Sequence, residues 1–209
     1  MIAKQIYTIG HSNHQIDYFL ELLQFKEINC LIDVRSAPSS SYSPQFNKLP
    51  LKNYLSDHHI IYMHFKDEFG ARQEQENVLD ENGQVNFELF RKTYEFQKGV
   101  ERVNKGFQKG YNIALMCSEG NPLECHRFSM ISVHLNKIGY NVCHILKDKT
   151  IKTQIELEEA LLKKYRKKLP VLSLFETNID DNYITKKAYK LHNKEIGWIT
   201  SKYKELNKV

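Results

Sequence analysis

No stretch of this sequence approaches the roughly 20 consecutive apolar residues that a membrane-spanning helix needs. The segment from Met1 to Ile6 lacks the apolar run and small-residue cleavage site of a signal peptide, so a cytoplasmic location is expected. Cysteine is sparse, with four in 209 residues, and without an export signal a disulfide framework is not expected. There is no internal repeat and no low-complexity tract. These absences argue against a membrane-spanning helix, a disulfide-stapled scaffold and a repeat array.

What is present suits a soluble globular protein: 41% hydrophobic residues, 26% charged, and a length sufficient for one domain with a full core. Residues 1–148 carry 16 Lys and Arg against 17 Asp and Glu, a net −1; residues 149–209 carry 14 against 8, a net +6. A near-neutral body thus precedes a basic C-terminal part, which suits either solubility or attraction to a polyanion.

Short apolar segments alternate with helical spacing. Strands are expected at the segment ending in Tyr7-Thr8-Ile9-Gly10, at Cys30–Val34, Ile60–Phe65, Asn112–Cys117 and Val142–Leu146. Helices are expected at Asp17–Phe25, Leu51–Asp57, Phe87–Lys109, Arg127–Lys137 and Glu156–Lys168, with long loops at Ser36–Pro50 and Lys66–Gly83. The alternation predicts an α/β fold: one three-layer, Rossmann-like domain over residues 1–170 with a mostly parallel sheet of about five strands. Residues 171–209 read as a basic C-terminal extension, wrapped on the body or partly flexible.

In open α/β sheets, ligands bind beyond the carboxyl ends of the strands. Three predicted strands deliver polar residues to that edge: Gly10-His11-Ser12-Asn13, Asp33-Val34-Arg35-Ser36 and Cys117-Ser118-Glu119-Gly120. A further triplet, Cys125-His126-Arg127, opens a helix, where unpaired N–H groups and a guanidinium favour an anion. Candidate catalytic residues are His11, Cys117, Glu119, Cys125 and His126. His11 titrates near neutrality, Glu119 suits a general base or an ion pair with Arg127, and Cys125 at a helix start suits a nucleophile. Ser12, Asp33, Arg35, Arg72 and Arg127 are candidate substrate or anion contacts. Each also has a structural explanation: Cys117 as a buried small hydrophobe, Glu119 with Arg127 as a loop-holding salt bridge, His11 bonded to its turn, Asp33 accepting backbone N–H bonds, Arg72 solvated. No metal is assigned. Cys117, Cys125 and His126, joined by His11, form an alternative zinc site, although their spacing matches no regular zinc pattern.

The order Ile9-Gly10-His11-Ser12-Asn13, Asp33-Val34-Arg35-Ser36 with Pro38, Pro44-Gln45-Phe46-Asn47, Gly70 and Arg72, Met116-Cys117-Ser118-Glu119 with Pro122, Cys125-His126-Arg127 and Val142-Cys143-His144-Ile145 resembles the DUF488 family. The resemblance covers about residues 5–148. It implies a compact Rossmann-like α/β domain whose marked polar positions coincide with those above. Members commonly carry arginine where Ser41 stands and a second glycine where Ala71 follows Gly70. Asp33-Val34-Arg35 also resembles rhodanese domains, but their short cysteine-to-arginine loop is missing. The expected function is an enzyme acting on an anionic substrate, whether nucleotide, nucleic acid or another phosphate or carboxylate compound. The alternative is a non-catalytic nucleic-acid-binding module using the basic extension.

Overall fold

In the computed structural model, residues 4–170 and 181–206 are described. The elements run β1 (Lys4–Gly10), α1 (Ile16–Gln24), β2 (Cys30–Asp33), α2 (Lys48–Asp57), β3 (Ile61–His64), α3 (Lys66–Phe69), α4 (Phe87–Phe90), α5 (Tyr94–Gln108) and β4 (Ile113–Cys117). A π-helical stretch, Arg127–Ser132, then leads into α6 (Val133–Lys137), followed by β5 (Tyr140–Ile145), β6 (Ile151–Thr153), α7 (Gln154–Tyr165), α8 (Asp181–Ile196) and α9 (Ser201–Leu206).

The six strands lie in the order β3-β2-β4-β1-β5-β6. The first five are parallel, and β6 runs antiparallel to β5 at the edge. Side chains alternate between the two faces of a strand. Ile6, Ile32, Ile113, Leu115 and Val142 pack on one face with Phe96 and Val103 of α5 and Leu135 of α6. Their neighbours Tyr7, Ile9, Leu31, Ala114 and Met116 pack on the other with Phe19 and Leu23 of α1 and Leu51 and Leu55 of α2. Both faces are covered, which is why the strands read as continuous apolar runs. The expected three-layer α/β domain with a mostly parallel sheet is therefore the observed architecture.

Local chemistry moved several boundaries. The predicted helix over Phe87–Lys109 is two helices, because Thr93 caps the second through the Phe96 N–H. The loop Lys66–Gly83 holds the short α3, and Pro44–Phe46 forms a 3-10 turn within the first long loop. The fifth helix starts earlier, at Gln154, where Thr153 and Glu156 form a capping box.

Of the extension, residues 171–180 lie outside the described residues. Residues 181–206 are docked on the body. Trp198 O accepts from the Val85 N–H, Gly83 O accepts from the Thr200 N–H, and the Asn193 side chain bonds both the Phe87 N–H and Val85 O. Ala188 joins Phe128, Leu157 and Leu161 in a third apolar cluster.

One consequence of this packing is acid sensitivity. His144 is fully buried between Thr8 Oγ1 (2.8 Å) and Gln154 Oε1 (3.0 Å). Burial, reinforced by the Arg127 charge, pulls its pKa down to about 3. Burial, and then Lys164, lowers His192 of α8 to about 4. Both therefore stay neutral in the fold while the unfolded chain takes up protons below about pH 6.5. Their stabilisation is complete above that pH and is lost as the pH falls towards the folded-state values. Urea titrations are expected to give a lower unfolding free energy at pH 5 than at pH 7, by about 2 kcal/mol from His144 alone. His144→Gln should flatten this dependence, and an unchanged slope in that variant would rule His144 out as its source.

Candidate functional site

The carboxyl ends of β1, β2 and β4 meet as the sequence predicted. Gly10 pairs with Cys117 and Asp33 with Met116. The β1–β4 ladder continues past the strands, with His11 N–H bonded to Cys117 O (2.9 Å) and Ser12 N–H to Ser118 O (2.8 Å). This draws the 117–127 loop against Gly10 so closely that a Cβ there would lie 1.9 Å from Glu119 O. Only glycine allows that approach.

Arg127 is completely buried beneath the loop. Its Nη1 donates to Glu119 O (2.6 Å) and its Nη2 to Gly120 O (3.0 Å). Arg127 thus braces the loop backbone, with its Nε buried and without a hydrogen-bond partner, and bonds to main-chain carbonyls stand where a salt bridge between Glu119 and Arg127 was considered.

Asp33 and Arg35 form a second brace. The carboxylate of Asp33 accepts from Arg35 Nε (2.8 Å), Arg35 Nη2 (2.6 Å), the Arg35 N–H (3.0 Å) and Tyr62 OH (2.7 Å). Arg35 Nη2 also donates to Phe46 O (2.8 Å), and its Nη1 donates to His11 Nε2 (3.1 Å). His11 Nδ1 donates to Ser12 O (2.8 Å), and the ring stacks on Phe46. Burial, and then the Arg35 charge, hold His11 at a pKa of about 4. Both its nitrogens are engaged within the protein, and it stands outside the group of converging Cys117, Glu119, Cys125 and His126 side chains. Asp33 and Arg35 are likewise engaged with the protein itself.

The remaining candidates converge. Cys117 Sγ, Cys125 Sγ, a ring nitrogen of His126 and a carboxylate oxygen of Glu119 all lie within 4.8 Å of one another. His126 Nδ1 is 3.7 Å from each sulfur, and the Arg127 N–H points at Cys125 Sγ (3.4 Å). His126 Nε2 faces Val34 O at 3.2 Å. A carbonyl only accepts, so Nε2 carries a proton and donates it there. Glu119 Oε2 is buried without a hydrogen-bond partner.

The electrostatics of the cluster are mutual. Burial, and then the neighbouring Cys125, push the Cys117 thiol well up. Burial would also raise Cys125, but the Cys117 hydrogen bond and the Arg127 and His126 charges outweigh it and hold Cys125 well below the ordinary thiol range. Burial, and then the Cys125 charge, raise the Glu119 carboxyl. Burial would lower His126, but Cys125 and Glu119 outweigh it and raise it.

A cleft of about 360 Å³ opens beside this cluster, lined by Arg72, Glu119, Glu124, His126, Trp198 and Lys204. The two cysteines lie behind it, 3% and 1% exposed. Of the three arginines suggested by the sequence, Arg72 alone lines the cleft. Ser12 sits beside Gly120, its Oγ 3.2 Å from where a Cβ at that glycine would be. Sequence reasoning missed Trp198 and Lys204, although Gly197-Trp198-Ile199 holds the chain's one tryptophan and is a short apolar break in a basic segment. A larger cleft of about 1000 Å³ lies between α8, α6 and residues 80–92, and none of the strand-end residues lines it.

Comparison with known protein families matches residues 15–133 to the family described as "Domain of unknown function DUF488". Comparisons with curated proteins and with solved structures each find no match. The matched segment exceeds half the chain and carries β2, β4, the 117–127 loop and all four converging side chains, so this chain belongs to the DUF488 family.

Proposed function

We propose that this protein is an enzyme that takes an anionic substrate, bearing phosphate or carboxylate, into the cleft beside Glu119 and His126. The observation that carries this reading is the buried, unpartnered Oε2 of Glu119, in a wall shared with two cations, Arg72 and Lys204. A carboxylate oxygen left without a partner is costly to fold around, and such sites are commonly functional. Arg72 and Lys204 supply the charge that an anion needs, and the half-buried Trp198 ring supplies a flat apolar surface beside them. Glu119 is the group in reach of the cleft that takes and returns a proton.

The alternative of a nucleic-acid-binding module rested on the basic extension. The docking of residues 181–206 and the presence of Lys204 in the cleft wall favour a role for that segment within the site.

The test is a screen of nucleotides, phosphoesters and carboxylate compounds, followed by two variants. Glu119→Gln is expected to lower kcat by about 10² or more, as for loss of a general base. Arg72→Ala is expected to raise KM about tenfold with little change in kcat, as for loss of uniform binding. Full activity in both folded variants would refute the assignment.

A further inference from the structure

We infer that Cys117, Cys125 and His126 hold a zinc ion, with Glu119 standing free on its cleft side. Four observations lead there. The first is spacing. In a tetrahedral zinc site with ordinary Zn–S and Zn–N bonds, sulfur and nitrogen ligands stand about 3.6 Å apart. Each of the two sulfurs stands 3.7 Å from His126 Nδ1.

The second is the count of protons. The His126 Nε2 proton is committed to Val34 O, so it is Nδ1 that faces the sulfurs, and a metal would take its lone pair in place of a proton. Two sulfurs, an imidazole nitrogen and a carboxylate oxygen then converge on one point. The two sulfurs and the imidazole are electron-pair donors of the kind zinc prefers, and a cation between them satisfies all three, with the Glu119 carboxylate beside it. A backbone carbonyl on the outer nitrogen is also the usual support of a metal-binding histidine, since it fixes the ring and its tautomer.

The third is access. A nucleophilic cysteine must touch its substrate, but the cleft is lined by Glu119 and His126, and the sulfurs are nearly sealed behind them. Buried sulfurs suit metal ligands better than nucleophiles. The fourth is the difference in anchoring. Strand β4, the Arg127 N–H and Val34 O fix the Cys117, Cys125 and His126 donors. Glu119 Oε2 has no hydrogen-bond partner, and Glu119 is among the residues that line the cleft. Thiolates select zinc over magnesium or calcium, and a Cys2His set leaves the fourth position for water.

This deepens the enzyme reading by adding a reaction class, hydrolysis, and rests on that reading for the anionic substrate. The oxygen of a water at the fourth position bonds to the substrate's electrophilic atom. One water proton passes to Glu119 and from there to the leaving group, which departs with the electron pair of the broken bond.

The metal is tested without any substrate. The full chain is purified without a metal-affinity tag from zinc-supplemented cells and analysed by elemental mass spectrometry. About one zinc per chain is expected, as for a site with high affinity at neutral pH. Cobalt added to the metal-free protein should give a thiolate-to-cobalt band in the near ultraviolet and the intense visible bands of tetrahedral cobalt. This readout needs no variant and so does not depend on any variant folding. Cys125→Ser and His126→Ala should lose zinc, while Cys143→Ser, at a cysteine outside the cluster, should keep it.

Glu119→Gln should keep zinc with affinity within about tenfold, the scale of an outer contact. Loss of zinc by Glu119→Gln as complete as by His126→Ala would overturn the free position of Glu119. A protein with neither zinc nor a cobalt–thiolate band would overturn the metal site. So would two fewer titratable thiols than the sequence has, which would signal a disulfide between Cys117 and Cys125. Stoichiometric zinc with no substrate found in the screen would leave the metal site standing and count against the enzyme reading alone.

Discussion

Asp33→Ala is expected to cost about 3–5 kcal/mol, the toll of leaving a buried charge without its counter-ion. That is a large share of the roughly 5–15 kcal/mol by which a domain is stable. The carboxylate is 0% exposed and satisfies four donors: two on the Arg35 guanidinium, the Arg35 N–H and Tyr62 OH. Removing it strands Arg35, itself only 5% exposed, among Phe46 O and His11. The cost comes from the orphaned cation rather than from the strength of the ion pair. The double variant Asp33→Ala/Arg35→Met should therefore be more stable than Asp33→Ala alone, by about 1–3 kcal/mol, because an apolar group replaces the unpaired charge. Urea midpoints of the three proteins decide the matter. A double variant no better than the single one would show that the lost hydrogen bonds, and not the charge, carry the effect.

Gly10→Ala has the second large expected effect. A Cβ at this position would lie 1.9 Å from Glu119 O and 2.9 Å from Gly120 Cα, both backbone atoms that no rotamer change can move aside. Strand β1 and the loop would have to part by about 1 Å, and overpacking of this kind costs about 1–3 kcal/mol. The parting also unseats the carbonyls that Arg127 holds and opens a path to the buried sulfurs. Native-state labelling of Cys117 and Cys125 by a thiol reagent should accelerate by about tenfold or more, as a local opening becomes easier. Gly110→Ala is the control. Its φ of +81° imposes strain of about 1–2 kcal/mol on an L residue, but no atom lies within 4 Å of the added carbon. It should lose stability without exposing the thiols. Equal labelling of wild type and Gly10→Ala would mean that the loop tolerates the wedge.

The fold was legible where burial is two-sided. Ile113-Ala114-Leu115-Met116-Cys117 is apolar throughout because helices cover both faces, and its end could be placed from composition alone. The edge strand β6 was not legible. It has three residues, Ile151-Lys152-Thr153, with a lysine in the middle, and among the described residues pairs only with β5. The break before α5 was hidden because a threonine cap competes with a continuous helical spacing, and only the geometry decides.

The site divides in the same way. The convergence of strand ends on one edge follows from parallel topology, so Cys117, Glu119, Cys125 and His126 could be singled out. Which arginines face solvent cannot be read from residue type. A guanidinium serves a substrate anion or two main-chain carbonyls equally well, and Arg35 and Arg127 took the internal option. The cleft's far wall comes from residues distant in sequence, whose contacts with Val85 and Gly83 leave no local pattern.

That far wall also sets an order of events during synthesis. The loop carrying both sulfurs ends at Arg127, and Trp198 follows roughly 70 residues later, so at about 5–20 residues per second it is made about 4–14 s after the loop. For that interval the growing chain presents its cysteines and His126 without the segment that later walls the cleft. Docking of Trp198 then completes the cleft, so the wall that carries Trp198 and Lys204 is the last part of the site to be made.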